Sequence, residues 1–435
     1  MRRRWIGLAV FLLVLLVAAA LIALQTPVGR AAYNVADFRL RRWRIERWGR
    51  PTIVPEDRGT LRGRVSDPDD HPITGAVVLV AEATGETYYD YTDQEGRYEI
   101  KRVPPGRYVP LAAAWGYQMR TRPAVRVHPG KAVEHIDFTL PPRLPARPSA
   151  NVPVTITGRS IVTGSFPAPD VRVERLEFHF TRGGIEVRGD RIYQPIGRTT
   201  PGLTLVMAFP SDEPHWEPAA IAFASQGFTV LHAVPAPERG MDIQAHAQDL
   251  LQAVVLLTSG RLTPAADPHR VAVLAGSFST LYLYQALPDM PEVQAIITMG
   301  GVSDAFLGVR SLYTRELEIP ERFQDAIAAI GRPDRDPQRF MQYSPAFFAR
   351  HMPPTLVIHM VADRVIPVSQ ALRFEGALEE AGVRHELILY QDTSHYLNTW
   401  DPPEEVREAF QKMVAFLQET LSERVSTDTT KPLRH

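Results

Sequence analysis

Hydrophobic and polar positions follow three different patterns along the chain. Residues 5–24, WIGLAVFLLVLLVAAALIAL, are apolar throughout and carry no charge. From 58 to 140, short runs such as AVVLVAEA, TYYDYT and RYVPLAAA are separated by turn sequences, which predicts a small all-β sandwich. From 154 to 421, apolar strand-like runs alternate with longer helical patterns, which predicts a mostly parallel sheet covered by helices on both faces.

The apolar segment at the start is long enough to cross a membrane. Twenty residues at 1.5 Å rise span a hydrocarbon core of about 30 Å. Since a secretory signal usually has an apolar region of only about 7–15 residues, we expect residues 1–24 to be a retained transmembrane anchor, with a cleaved signal as the alternative. Arg2, Arg3 and Arg4 favour a cytoplasmic N-terminus. This predicts a single-pass protein of the cell membrane whose folded part lies outside the cytoplasm.

Three segments are predicted to be connections rather than domains. The basic juxtamembrane stretch 25–57 mixes arginines with Phe38, Trp43 and Trp48, which fits either a helix lying on the membrane surface or a solvated linker helix. Residues 141–153, PPRLPARPSANVP, are rich in proline and are predicted to be extended. Residues 422–435 are polar and are predicted to be a disordered tail.

Composition removes several classes of function. The net charge of −1 provides no basic surface to attract nucleic acid, so no nucleic-acid partner is expected. The absence of cysteine excludes disulfides, thiolate catalysis and cysteine-ligated zinc. The chain has no phosphate-binding loop, dinucleotide fingerprint or H-E-x-x-H motif, and its 13 histidines lack ligand spacing, so neither cofactor nor metal is predicted. The pattern does not indicate an oligomeric state.

A candidate nucleophile lies in RVAVLAGSFSTLYLYQAL, which reads as strand, tight turn and helix. A serine on such an elbow is held in a strained conformation, which requires small residues two positions before and after it. Ser277 lies between Ala275 and Ser279 and meets this requirement, although the two usual glycines are missing. Ser279 fits less well because bulky Leu281 follows it.

Two further residues complete the chemistry that a serine needs. A serine hydroxyl is a poor nucleophile until a base takes its proton, and the base needs an orienting carboxylate. In this arrangement the order along the chain is serine, acid, histidine. Asp363 follows the apolar run TLVIHMVA, and His395 follows the next run, HELILYQ. The sequence therefore predicts a triad of Ser277, Asp363 and His395.

The oxyanion-binding donors are the least regular part of the predicted site. One donor is expected to be the backbone N–H of Phe278, directly after the nucleophile. The second normally comes from a glycine-rich loop, but here the loop after LTLVMAF reads Phe209-Pro210-Ser211. Because proline has no N–H, Phe209 or Ser211 must donate. Loss of one such donor costs about 10²–10³ in rate.

Two stretches resemble known families. LRGRVSDPDDHPITGAVV followed by TDQEGRYEIKRVPPGRYV resembles the carboxypeptidase regulatory-like domains, which implies a spacer or binding module. Residues 171–421 resemble the α/β-hydrolase superfamily, in particular its prolyl-oligopeptidase and dienelactone-hydrolase-like branches. In the peptidase branch the triad aspartate precedes V-x-P, as Asp363 does, and the histidine of the next loop corresponds to His395. Asp249 and Asp304 also match the branch and are interpreted as structural, while the large β-propeller of that branch is missing.

These observations lead to two hypotheses. The resemblance and the triad imply a serine hydrolase that cleaves an ester or peptide bond of a small substrate through an acyl-enzyme. The missing glycines at the elbow and the oxyanion loop motivate the alternative, a non-catalytic surface binding protein that keeps the fold. Residues 303–342 are expected to form a short insertion over the site.

Overall fold

The computed structural model describes residues 25–49, 57–210, 216–317, 319–391, 395 and 404–422. Contacts within the chain divide it into two compact units. The first unit is Met1–Pro141 together with Phe306–Met341, and the second is Pro142–Ala305 together with Gln342–His435. The second unit includes the proline-rich stretch that the sequence assigns to a linker.

The helices in the described residues are numbered in chain order. They are α1 (Pro27–Trp48), α2 (Trp216–Ser225), α3 (Ile243–Thr258), α4 (Ser279–Ala286), α5 (Ala305–Thr314), α6 (Glu321–Ile330), α7 (Gln338–Met341), α8 (Ser369–Glu380) and α9 (Glu404–Ser422).

The strands fall into a short-stranded set and a long-stranded set. The first set is β1 (Gly59–Ser66), β2 (Val77–Ala81), β3 (Thr87–Tyr91), β4 (Arg97–Val103), β5 (Gly106–Tyr108), β6 (Leu111–Ala113), β7 (Arg120–Thr121), β8 (Val125–Val127), β9 (Ala132–Val133) and β10 (Phe138–Thr139). The second set is β11 (Val154–Gly164), β12 (Val171–Arg182), β13 (Ile185–Gln194), β14 (Gly202–Ala208), β15 (Thr229–Ala233), β16 (Ala266–Gly276), β17 (Val293–Met299), β18 (Thr355–Met360) and β19 (His385–Tyr390).

The short strands of the first unit form the predicted all-β domain. One sheet has the order β10-β1-β4, with β9 also pairing with β1, and another has the order β3-β2-β6-β7. Their inward-facing residues share one core, which includes Leu61, Val65, Val78, Val80 and Ile100. Alternate residues of β4, Tyr98 and Ile100, face this core, whereas β2 is buried along its whole length.

Helix α1 packs against residues 306–341, the later segment of the chain that belongs to the same unit. Its N-terminus is capped by Thr26, whose hydroxyl oxygen accepts a hydrogen bond from the N–H of Gly29. Arg39 forms an ion pair with Asp325 at 2.6 Å. The Phe38 and Tyr313 rings meet edge to face at 5.3 Å. Residues 306–341, which the sequence analysis placed in the hydrolase domain, thus cluster with α1 and the sandwich.

The predicted membrane span lies outside the described residues. Within the part of the chain that the structure describes, no helix combines the length and the apolar character that crossing a bilayer needs.

The second unit is built on one nine-stranded sheet with the order β11-β12-β13-β15-β14-β16-β17-β18-β19. Strands β11 to β13 are antiparallel, as is the pair β13–β15, and the strands from β15 through β19 are mutually parallel. Helices α2 and α9 share a buried cluster with β14, β16 and β17. This is the α/β-hydrolase arrangement predicted from the sequence.

The sheet brings three loops together. Strands β16, β18 and β19 run parallel, so their carboxyl ends lie at one edge of the sheet. Ser277 follows β16, Asp363 follows β18 and His395 follows β19. The topology therefore brings the three predicted residues to the same place.

A buried carboxylate fixes the start of the second unit. The side chain of Asp289, 1% exposed, pairs with the Arg143 guanidinium and accepts a hydrogen bond from the N–H of Ala146 at 3.0 Å. Burial alone would raise the pKa of this carboxyl, but these hydrogen bonds outweigh burial and lower the pKa below its usual value.

We predict that Asp289→Asn destabilises the second unit by about 1–3 kcal/mol at neutral pH, because a charged hydrogen-bond partner of Arg143 is lost. Since the pKa of Asp289 is lower in the folded protein, its contribution is full above the unfolded pKa of about 4 and is lost as the pH falls through the folded value. Unfolding midpoints of both proteins, measured from pH 7 downwards, should therefore converge below about pH 4.

Asp170→Asn provides the control, because the Asp170 side chain is exposed. It should change stability by less than about 0.5 kcal/mol. An equal gap between wild type and Asp289→Asn at all pH values would contradict the charged role of Asp289.

Candidate active site

Ser277 occupies the tight turn between β16 and α4. Its φ of +51° is a left-handed conformation that a residue with a β-carbon adopts only under constraint. The Ser277 N–H donates to the carbonyl oxygen of Met299 at 3.0 Å. The Ser277 carbonyl oxygen accepts from the N–H of Thr280 at 3.1 Å and from its hydroxyl at 2.7 Å. The turn is therefore fixed on both sides of the serine.

His395 links the serine to the aspartate. Its Nε2 is 2.7 Å from the Ser277 Oγ, and its Nδ1 is 2.6 Å from the Asp363 Oδ2. Because a carboxylate only accepts hydrogen bonds, Nδ1 must carry the proton. Nε2 of the neutral ring then presents its lone pair to the serine hydroxyl, which is the arrangement that proton transfer from serine requires.

Asp363 uses its two carboxylate oxygens for different tasks. The Oδ1 atom accepts hydrogen bonds from the N–H groups of Val365 at 2.7 Å and Ile366 at 3.0 Å. The Oδ2 atom faces His395, and the side chain is fully buried. The loop after β18 thus orients the carboxylate, and the carboxylate orients the imidazole.

His359 supports that loop from inside β18. Its Nε2 lies 2.8 Å from the carbonyl oxygen of Ile366, so Nε2–H donates. Burial lowers the pKa of His359, against the opposing effects of this hydrogen bond and of the Asp363 charge, so the ring is neutral at neutral pH. Sequence reasoning missed this residue because a histidine within TLVIHMVA is hidden in an apolar run.

Two glycines after β17 make room for His395 and Thr280. Gly300 has φ of +55°, and a β-carbon there would lie 3.1 Å from both the Cε1 atom and the carbonyl oxygen of His395. A β-carbon on Gly301 would lie 2.7 Å from the Cγ2 atom of Thr280. The signal in the sequence was a glycine pair directly after an apolar strand.

Helix α8 holds the segment that follows these glycines. The N–H groups of Ser303 and Asp304 both donate to the Gln370 side-chain oxygen at 2.9 Å. The Asp304 carboxylate also pairs with Arg373 at 3.3 Å. Asp249 similarly pairs with Arg182 and Arg239. Both aspartates thus form ion pairs with arginines in the second unit.

The predicted oxyanion donors lie on either side of the elbow. Phe278 follows Ser277 at the start of α4, and Phe209 follows β14, the strand next to β16. The Phe209 ring stacks on Trp216 with centroids 3.6 Å apart. The Tyr282 hydroxyl lies 3.4 Å from the Phe209 carbonyl oxygen, which connects α4 to the oxyanion loop. Ser211, the other candidate, lies outside the described residues.

The fold and the hydrogen-bonded serine, histidine and aspartate are those of the α/β-hydrolase class. Residues 242–424 match the model of the prolyl oligopeptidase family, and residues 60–141 match that of the carboxypeptidase regulatory-like domain. Both resemblances predicted from the sequence are confirmed. The chain therefore carries a serine hydrolase domain similar to those of the prolyl oligopeptidase family, together with a domain that matches the carboxypeptidase regulatory-like model. No curated protein sequence matches the chain.

Several solved structures are similar to the chain. Acylaminoacyl peptidase from Pyrococcus horikoshii has 14% identity and a TM-score of 0.49, over 82% of this chain and 56% of that chain. A fungal esterase from Rhizomucor miehei has 11% identity and a TM-score of 0.45, over 63% and 87%. A putative dienelactone hydrolase from Klebsiella pneumoniae has 13% identity and a TM-score of 0.37, over 60% and 100%. The chain thus spans little more than half of the acylaminoacyl peptidase structure.

We predict that Gly300→Ala lowers the rate of covalent reaction with a fluorophosphonate by about 10²-fold, because its β-carbon displaces His395 from Ser277. Gly382→Ala is the matched control, since Gly382 also has positive φ, +67°, but a β-carbon there meets no atom within 4 Å. The control should lose about 1 kcal/mol of stability and keep its reactivity. Equal loss of reactivity in both variants would show that backbone strain, rather than contact with His395, is responsible.

Proposed function

We propose that this protein is a serine hydrolase that cleaves an ester or peptide bond, with Ser277 as nucleophile, His395 as general base and acid, and Asp363 as the residue that orients the imidazole. One observation carries the proposal. The hydrogen-bonded series from Ser277 through His395 to Asp363 is complete, and its serine lies on a strained strand-to-helix turn.

The geometry supports a two-step reaction. In the first step Ser277 Oγ attacks the substrate carbonyl carbon while its proton moves to His395 Nε2, and the carbonyl oxygen becomes an oxyanion. His395 then gives this proton to the leaving alcohol or amine as the bond to carbon breaks, which leaves an acyl-enzyme. In the second step His395 takes a proton from water, the resulting attack on the ester carbonyl releases the acid, and the proton returns to Ser277.

The N–H groups of Phe278 and Phe209 are proposed as the donors that receive the oxyanion. Phe278 is positioned by the turn, and Phe209 is held by its stack on Trp216 and by the contact between its carbonyl oxygen and the Tyr282 hydroxyl. Donors fixed in advance stabilise developing charge without a cost of reorganisation. These contacts thus restrain the backbone at Phe209, which carries the proposed donor.

The substrate is a small ester or peptide, and the two bond types can be compared directly. Acylaminoacyl peptidase and esterase structures are both among those similar to this chain. A panel of acyl esters and aminoacyl amides, ranked by kcat/KM, separates them. Turnover of esters alone identifies an esterase, and turnover of amides as well identifies a peptidase.

We predict that a fluorophosphonate probe labels the full-length protein and that Ser277→Ala abolishes labelling, since the acceptor oxygen is removed. Ser279→Ala is the matched control, because Ser279 lies on the same turn two residues further on and is fully buried. It should still be labelled. Labelling that persists in Ser277→Ala would contradict the nucleophile assignment.

The same experiment separates the enzyme from its alternative. A binding protein that has kept the fold but lost catalysis would show no labelling of the wild type. That result would overturn the hydrolase proposal, whereas labelling that depends on Ser277 supports it.

We also propose that residues 5–24 anchor the protein in the cell membrane, with both folded units outside the cytoplasm. The uninterrupted apolar segment after Arg2, Arg3 and Arg4 supports this orientation. Protease added to whole cells should therefore digest the β-sandwich. A sandwich that is cleaved only after the cells are lysed would reverse the proposed orientation.

A further inference from the structure

We propose that α1 docks along a membrane surface that carries anionic lipid headgroups, through the face that it leaves exposed. This outer face is defined by Arg30, Tyr33, Leu40, Trp43, Arg44, Arg47 and Trp48. The proposal goes beyond anchoring by residues 5–24 because it assigns a second membrane contact and the class of lipid that it binds.

The two faces of α1 have different contacts. One face is turned to the rest of its unit. Phe38 is buried against Tyr313, the Asn34 amide donates to the carbonyl oxygen of Ala329 at 3.1 Å, and Arg42 donates to Gln324 at 2.7 Å. These residues are spaced by four and therefore lie on one side of the helix. The outer face consists of exposed side chains that make none of these contacts.

The outer face exposes large apolar side chains. Trp48 is 68% exposed, Trp43 52%, Leu40 46% and Tyr33 41%. The two indole rings lie 5.0 Å apart, edge to face, and form a single aromatic patch. Contiguous exposed apolar surface is uncommon unless it binds something. Tryptophan and tyrosine are enriched where a polypeptide meets lipid headgroups, because their rings are apolar with one polar atom.

The positive charge of the outer face favours a membrane with anionic lipids as its partner. Arg30, Arg44 and Arg47 lie on it, and within the described residues no ion pair to any of them is found. The acidic residues of α1 are engaged elsewhere, since Asp37 pairs with Arg41 and Glu46 pairs with Arg42 and Arg315. The outer face is therefore cationic as well as aromatic, which is the combination that binds anionic membrane surfaces.

The position of α1 in the chain limits how far it can lie from the bilayer. The apolar segment ends at Leu24, and α1 begins at Pro27. Two intervening residues allow at most about 10 Å of extended chain. This step rests on the anchoring proposed above and places the start of α1 at the headgroup layer. A second copy of the chain is a poorer partner, because two identical cationic faces would repel each other.

The experiment uses the full-length protein in lipid nanodiscs made with phosphatidylcholine alone or mixed with phosphatidylglycerol. A fraction of the lipids is brominated near the headgroup, so that they quench the fluorescence of nearby tryptophans. Comparing wild type with Trp43→Phe/Trp48→Phe isolates the emission of the pair. We expect that emission to fall roughly twofold when brominated lipid is present in anionic discs.

Charge is tested with Arg30→Gln/Arg44→Gln/Arg47→Gln. Each arginine near an anionic surface changes binding by about fivefold, so this variant should lose the difference between anionic and neutral discs. The matched control, Arg107→Gln/Arg122→Gln/Arg126→Gln, removes the same charge from exposed positions on the sandwich and should retain that difference. Retained fluorophosphonate labelling shows that the second unit of each variant is folded, and an unchanged circular dichroism spectrum shows the same for α1 and the sandwich.

The outcomes separate the two membrane proposals. Failure of the chain to enter nanodiscs contradicts anchoring by residues 5–24. Stable entry without quenching of Trp43 and Trp48 leaves the anchor intact and overturns docking of α1. Equal quenching in neutral and anionic discs overturns the selection of anionic lipid. A dimer that the double tryptophan variant converts to a monomer would also overturn the proposal, in favour of a second copy on the same face.

Discussion

The hydrogen bond from Nδ1 of His395 to Oδ2 of Asp363 sets the geometry on which the rest of the site depends. It fixes the ring so that Nε2 faces Ser277, and it exists only because β18 and β19 run parallel and end at the same edge of the sheet. The carboxylate is in turn fixed by two backbone N–H groups, and their loop is held by buried, neutral His359. His359 thus holds the loop, the loop orients Asp363, Asp363 orients His395, and His395 faces Ser277.

Hydrogen bonds from neighbouring elements hold the strained backbone at the elbow. Ser277 keeps a left-handed backbone because Met299 and Thr280 hold both of its peptide groups. Gly300 allows the close approach of His395 that an ordinary residue would prevent. Such conformations persist where the surroundings over-determine them.

The sequence predicts the sheet and the meeting of three residues well, because both follow from periodicity and from the rule that parallel strands end at one edge. Ser277, Asp363 and His395 each follow an apolar run directly, and that position is visible in the letters alone. His359 could not be found this way, since its role depends on a carbonyl seven residues away that only the folded loop brings back. The membership of residues 306–341 in the first unit was equally hidden. It depends on long-range contacts such as Phe38 with Tyr313 and Arg39 with Asp325, and no local pattern reports them.

That discontinuity has a consequence for how the chain is made. The first unit begins at the N-terminus but is complete only when Phe306–Met341 has been added. Synthesis proceeds from the N-terminus, so α1 is made long before the segment that packs against it, which emerges after β16 and β17 of the second unit. Part of the second unit is therefore synthesised before the first unit is complete. A ribosome that stalls before residue 313 leaves Phe38 without Tyr313 and Arg39 without Asp325, so the Phe38 ring stays exposed and available to chaperones.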